Sequence, residues 1–474
     1  MKIKYFVIPF FIMLFLSCPE EPDLPKGTFW VRDFTTNSDY KIKADLLYTG
    51  KYCTIWAENG ALTEAQAWDV ANEYDNNIYP IMVETFGTNL NYSGRVESTM
   101  EYADVDGDGK LCILFLDIKD GYNGKTINSY IAGYFYAQHL MSGSSSNKSD
   151  MIFIDTYPGL KQEQAWDNIF ITIAHEMQHL MNFVNSIGLN RRHSGYYGMD
   201  TWIDEGLSSA AEYIYYKEKK GASFNLNFNN RINDFNTNLG GKGKIHEGNN
   251  FFVWGNRGSV LDDYSTVYLF FQWLRIHSIK IDSDGTSIYN DIMKSKHGDY
   301  NAVTDAAQKI NPEYKNWNIL LRDWLAANYI NNSSSIYGYK GEITLTILGS
   351  NNGISTLVDL YPGEGVYSSG AAAKPPNTGN INYERLTKND GISNNGDILL
   401  TYNVNSNNLN GIDKGTTTST SLPSASINAD NQGRSLLGGS NGPYRIGAQE
   451  FLRYPDSSDV TLLKFFTEDA ADEN

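Results

Sequence analysis

The sequence predicts an α+β protein: an N-terminal part with a mixed sheet, a mainly helical part after it, and a β-rich accessory region at the end. Three observations carry this. Apolar runs of strand length at 111–118 and 151–155 sit among helical segments in the first third. From Ala165 onward the apolar period becomes helical. Beyond about residue 335, short alternating runs stand between stretches rich in Gly, Asn and Ser. A chain of 474 residues exceeds one compact core.

The elements follow in order. Lys2 and Lys4 precede an apolar run, 5–16, too short to span a bilayer as a free helix. Phe15-Leu16-Ser17-Cys18 closes it. This is the layout of a bacterial export signal ending in a lipobox, with Cys18 as the lipidated residue and Phe15 departing from the usual Leu. The reading is a signal peptide over 1–18 and a membrane tether through that lipid. Residues 19–40, polar and holding Pro19, Pro22 and Pro25, read as the tether.

Residues 41–57 read as two strands around a Gly turn. Thr63 and Gln66 form the pattern of a capping box opening a helix that ends near Gly87. Strands are expected at 111–118, 131–138 and 151–155, with a Ser/Gly loop at 141–149. Ile169, Phe170, Ile173, Met177, Leu180, Met181 and Val184 make one apolar stripe on a long helix, and 200–216 reads as a second helix. Asn331 to Ser335 signal a linker, ending a first domain at 41–335; 342–348 and 397–404 read as strands in the accessory region 341–474.

The net charge of −17 argues against nucleic acid and against adsorption on anionic lipid. Three cysteines are too few for a disulfide scaffold. Cys53 and Cys112 could pair in an oxidising compartment; the sequence leaves this open.

His175-Glu176-Met177-Gln178-His179 is the strongest chemical signal. Histidines at i and i+4 share one helix face, close enough to meet one ion, and zinc takes imidazole nitrogen. Glu176 stands beside the first ligand, where it can take a proton from water that the metal has acidified. With seven histidines in the chain, a chance match at this spacing is rare. A catalytic zinc needs a third protein ligand and an open position. Asn182 and Asn185 occupy the positions where a metzincin carries Gly and a third His, which excludes that class. The leading third ligand is Glu205, in Trp202-Ile203-Asp204-Glu205-Gly206; Asp204 and His193 compete. Asp204 would point about 100° away from Glu205 around a helix. His193 follows Arg191-Arg192 in a polar loop.

The W-x-x-E-G segment resembles the element with which gluzincins complete their zinc site from a second helix. The segments IFITIAHEMQHLMNF and WIDEGLSSAAEYI, with YDNNIYPIMVETFG, DVDGDGKLCILFLDI and YSTVYLFFQWL, resemble the hyicolysin family of zinc metallopeptidases over roughly residues 40–330. The resemblance implies a zincin-like fold, His175, His179 and Glu205 as zinc ligands, Glu176 as catalytic base, and protein or peptide substrates. Where well-known gluzincins place an Asp four residues after the ligand Glu, this chain has Ser209, so Glu212 is the candidate for orienting a ligand imidazole. For the group stabilising an oxyanion, Tyr264 fits best by resemblance; Tyr268, His246 and His277 are alternatives. Resemblance to zincins also implies a substrate-pairing edge strand within 131–138 or 151–155. The competing reading is a cell-surface binding protein or adhesin that keeps the fold for docking; a peptidase with a narrow target is another.

Asp104, Asp106 and Asp108 alternate with Val105, Gly107 and Gly109 like the start of a calcium loop. Position 12 from Asp104 is Phe115 rather than Glu, and a strand follows, so a full EF-hand is excluded. A strand-linked calcium site or an Asp/Gly turn remains. The missing bidentate ligand weighs towards the turn, Asp117 being the nearby substitute.

Overall fold

A computed structural model describes residues 24–92, 95–127, 129–141, 143–162, 165–190, 199–220, 231–232, 235, 260–345, 351–352, 363–369, 376–377, 381–392, 397–404 and 444–447. In chain order it contains β1 (Thr28–Asp33), β2 (Ser38–Thr49), β3 (Cys53–Glu58), α1 (Glu64–Glu73), a π-helical turn Tyr74–Ile78 and α2 (Tyr79–Phe86). Then come β4 (Asn89–Tyr92), β5 (Arg95–Ser98), α3 (Thr99–Ala103), β6 (Leu111–Leu116), β7 (Ser129–Phe135), β8 (Met151–Asp155), α4 (Ala165–Asn190) and α5 (Thr201–Lys220). The helical part continues with α6 (Val260–Ser278), α7 (Ser287–Met293), α8 (Tyr300–Ala307) and α9 (Trp317–Ile330). β9 (Asn351–Asn352), β10 (Gly365–Ser369), β11 (Ile381–Leu386), β12 (Ile398–Asn403) and β13 (Tyr444–Gly447) follow. The α+β class holds.

The main sheet runs β1-β2-β3-β6-β8-β7-β13. β1 to β3 are antiparallel, β3, β6 and β8 are parallel, and β7 runs antiparallel to β8. Every residue of β6 is buried, as a central strand covered on both faces must be. Its alternation divides two cores. Ile113 and Phe115 join the helix-covered core with Tyr74, Ile173 and Met177. Cys112, Leu114 and Leu116 join a smaller cluster with Val31, Phe34, Tyr134 and Phe153. Cys53 belongs to the first cluster and Cys112 to the second, so the two buried thiols face opposite sides of the sheet and do not pair.

Thr63 and Gln66 close the predicted capping box, each side chain bonding the other's backbone N–H. The helix widens into a π turn directly before Tyr79-Pro80. Pro80 has no N–H for an i−4 carbonyl, and the wider turn accommodates its ring without a break. Tyr74, in that turn, directs its hydroxyl to Met177 Sδ at 3.5 Å and so ties this rod to α4.

Several expectations are corrected. The tether does not reach residue 40: Thr28–Asp33 is the outer strand β1, and β2 starts at Ser38. Phe29 and Val31 alternate along this strand, and their side chains pack beneath the sheet. Asn331 to Ser335 form a tight turn rather than a slack linker. Asn331 caps α9 in the left-handed conformation, and the Asn332 carboxamide oxygen accepts from the N–H groups of Ser334 and Ser335. Residues 342–345 are turn and irregular chain rather than strand, and 346–348 lie outside the described residues. The accessory strands form a sheet ordered β11-β12-β10-β9. It packs on the last helix: Tyr367 donates to the Leu325 carbonyl at 2.6 Å, and Leu400 and Tyr402 share the apolar core of Trp324. β8 lies between β6 and β7, so it offers no free edge. Along β7, Ser129 to Gly133 pair in parallel with β13. Cys18 and the export signal lie outside the described residues.

Candidate metal centre

α4 lies against β7 and β8 with its apolar stripe inward, which buries the HExxH turn rather than exposing it. The approach to β7 is tight. A Cβ on Gly133 would stand 2.6 Å from Thr172 Cγ2, 2.8 Å from the Phe153 carbonyl and 3.3 Å from Glu176 Cγ. Only glycine lets strand and helix meet there, and Glu176 is held against that point of the strand.

The i, i+4 spacing brings His175 Nε2 and His179 Nε2 to 3.0 Å. From α5, Glu205 Oε2 lies 3.4 Å from the first and 3.9 Å from the second. These ligand atoms all fall within 4.8 Å of one another. Glu205 is fully buried, and its Oε2 has no hydrogen-bond partner. An orphaned carboxylate oxygen in the interior costs several kcal/mol unless a cation shares it, on the order of the penalty for any buried unpaired charge. Two imidazole nitrogens aimed at the same spot complete a donor set that fits zinc.

The far side of each imidazole is held as well. His175 Nδ1 lies 2.7 Å from Glu212 Oε1. Glu212 Oε2 in turn accepts from Arg231 Nη2 at 2.7 Å, and Arg231 Nη1 donates to Ser209 Oγ at 2.6 Å. His179 Nδ1 lies 2.9 Å from Ser208 Oγ and 3.2 Å from Asp204 Oδ1. Such partners put the ring proton on Nδ1 and leave the Nε2 lone pair for a metal. Burial pushes the His175 imidazole down, but the neighbouring carboxylates of Glu205 and Glu212 and the charge of Glu176 outweigh it and lift the group to about 10. For His179 burial is likewise outweighed, chiefly by Asp204. The cluster of carboxylates thus favours positive charge at these nitrogens, whether from a proton or a metal.

Tyr264, at the start of α6, donates its hydroxyl to Glu205 Oε1 at 3.0 Å, which leaves Oε2 facing the histidines. Tyr268 packs its buried ring under the Arg231 guanidinium, 5.6 Å from the ring centre. His277 Nε2 bonds the Gly338 carbonyl at 2.8 Å instead of joining the site. His193 and His246 lie outside the described residues. Asp204 does point away from the ligand cluster, but towards His179 Nδ1 and the Asn182 amide. Arg231 and Ser208 had no signal in the sequence, being single polar residues whose partners lie far along the chain or on another helix; Ser209 stood out only as a departure from the gluzincin pattern.

α5 and α6 pack as closely as α4 and β7. A Cβ on Gly206 would fall 2.3–2.7 Å from the Phe271 ring. Gly206→Ala therefore forces Phe271 or the helix itself to move, one residue from Glu205. The expected loss is about 1–3 kcal/mol of stability, with a matching drop in Tm. A variant melting at the wild-type temperature would show that the α5–α6 contact is slack.

No family model matches the chain. Its sequence is similar to the neutral metalloprotease ShpI of Staphylococcus hyicus, 31% identical over 287 residues. That match covers 59% of this chain and 58% of the relative, so the chain spans little more than half of that protein's length.

Proposed function

We propose that this protein is a zinc-dependent endopeptidase with Glu176 as general base. One observation carries the reading: His175 Nε2, His179 Nε2 and the orphaned Glu205 Oε2 converge in a buried site. The name of the similar protein, a neutral metalloprotease, supports it. A zinc ion held by these residues would supply Lewis-acid chemistry, acidifying a water towards a pKa of about 7 and polarising a peptide carbonyl. Glu176 adjoins the first ligand in sequence and is fixed against Gly133. It takes a proton from the attacking water and returns it to the leaving amine. Glu212 with Arg231, and Asp204 with Ser208, hold the imidazoles. Tyr264 positions Glu205; that bond occupies the hydroxyl of the residue expected to stabilise an oxyanion, and we assign it to ligand positioning instead. The substrate class is protein or peptide. The reading includes an extracytoplasmic location in the bacterial envelope with a lipid on Cys18, supported by Lys2, Lys4 and the 5–16 run.

Purified protein should carry about one zinc. It should cleave casein or members of a broad peptide library, lose this with 1,10-phenanthroline, and regain it with zinc. Zinc-loaded protein that cleaves nothing in the library would favour the docking reading instead. Glu212→Gln weakens the grip on His175 Nδ1 and should lower zinc affinity by about 10–100-fold. Competition with a chromogenic chelator measures it; unchanged affinity would remove Glu212 from the metal site.

A further inference from the structure

His179 is held on its far side by two groups of α5, and each of those is held in turn by α4. Ser208 Oγ lies 2.9 Å from His179 Nδ1, and Asp204 Oδ1 lies 3.2 Å from it. Asp204 and Ser208 are one helical turn apart and share a face of α5. Ser208 donates to Gln178 Oε1 at 2.5 Å, and Asp204 Oδ1 accepts from Asn182 Nδ2 at 2.5 Å. Gln178 directly precedes His179, and Asn182 lies one turn after it, so α4 supplies both the ligand and the supports of its two partners. Gln178, Asn182, Asp204 and Ser208 are all fully buried, so bulk water does not compete for these bonds.

A serine hydroxyl has a single hydrogen. Left free, it could donate to an Nδ1 lone pair, and the ring would then carry its own hydrogen on Nε2, where a metal has to bind. Gln178 closes that route. Its carboxamide oxygen takes the Ser208 hydrogen, so Oγ has only lone pairs to offer the ring. An ionised Asp204 likewise only accepts. Nδ1 is therefore the donor, and Nε2 keeps its lone pair on the side of Glu205 Oε2. The carboxamide is oriented from its other end, where Gln178 Nε2 reaches Met293 Sδ on α7 at 3.7 Å. Sulfur is a weak acceptor, so the amide nitrogen gains little there. An apolar side chain would pack against Met293 at a lower desolvation cost. What glutamine adds is the oxygen for Ser208.

We propose that Gln178, the second variable residue of the HExxH turn, is a positioning residue for the metal site: it sets the direction of the Ser208 hydroxyl and so keeps His179 in the tautomer that can bind zinc. Asn182 anchors Asp204 Oδ1 in the same manner. The inference rests on the zinc reading of the site. It adds residues that act through Ser208 and Asp204 and do not touch the ion.

Zinc affinity of the full chain, measured by competition with a chromogenic chelator, tests this. Gln178→Met fills the space beside Met293 but offers Ser208 no acceptor oxygen. The hydroxyl can then turn to Nδ1, which lowers the fraction of protein ready for metal and should weaken zinc binding about tenfold. In Gln178→Met/Ser208→Ala the competing donor is gone, and affinity should return to within about twofold of Ser208→Ala alone. A glutamine that only packs would show no such rescue. Gln178→Met binding zinc as wild type does, or a loss that Ser208→Ala leaves in place, overturns the proposal. Should Gln178→Met fail to fold, Gln178→Asn, too short to reach Ser208, carries the same comparison with the same expected loss and rescue. His179→Ala separates this inference from its premise. Wild type that binds no zinc, or zinc that His179→Ala leaves bound as tightly, overturns both. Zinc lost in His179→Ala but held unchanged in the Gln178 variants overturns this inference alone.

Discussion

Glu176→Gln should keep its zinc and lose peptide hydrolysis, with kcat/KM down by about 10²–10⁴-fold or more. The substitution changes one oxygen for an amide and leaves size unchanged, so the contact with Gly133 survives. None of the three ligand atoms belongs to Glu176. What disappears is the capacity to accept a proton from water and pass it to the leaving amine. Metal analysis beside a quenched-peptide assay reads both quantities on one preparation. Equal activity in wild type and variant would show that cleavage comes from elsewhere, and a variant without zinc would show that Glu176 supports the metal instead. Glu176 and the ligands act as a unit, so adding His175→Ala to the variant should cost little further activity.

Glu205→Ala should have the larger effect on metal content. The carboxylate supplies one of three donors, and about one quarter to one third of the roughly 10–16 kcal/mol that a complete zinc site provides amounts to at least about 10²–10³-fold in affinity. Dialysis against a weak chelator should then strip the variant but not the wild type. Tyr264 loses its acceptor at the same time, which leaves a buried hydroxyl seeking a partner. Asp204→Asn is the control: Asp204 is the neighbouring carboxylate, but it meets His179 at Nδ1, the nitrogen turned away from Glu205. Its effect should stay within the about 10–100-fold of an outer partner. Equal zinc retention in Glu205→Ala and wild type would remove the third ligand and with it the proposed chemistry. The order Glu205→Ala below Asp204→Asn is also what distinguishes two adjacent acids that composition cannot separate.

Much of the fold was legible because the forces that shape it are local. The Thr63–Gln66 capping box, the strand at Met151–Asp155 and the helix starting at Ala165 each depend on neighbours within a few residues. Errors gathered where tertiary burial overrode composition. Thr28–Asp33 looks like a polar tether until β2 and the lower face of the sheet give Val31 a place to bury. β10 and β11 leave little mark in the sequence because they are short and their apolar residues gain a core only from α9.

By itself, the sequence determined how His175, Glu176 and His179 lie relative to one another, because one turn of helix fixes the geometry of i, i+1 and i+4 wherever the helix is placed. It also determined the acidic loop as a turn, through glycines that tolerate positive φ. Only the tertiary structure decided that Glu205 rather than Asp204 faces both imidazoles, and that Arg231 braces Glu212. It likewise decided that the cysteines face apart. These facts depend on how separate rods and strands rotate and pack, and that rotation is set by the whole core, not by any residue's near neighbours in the chain.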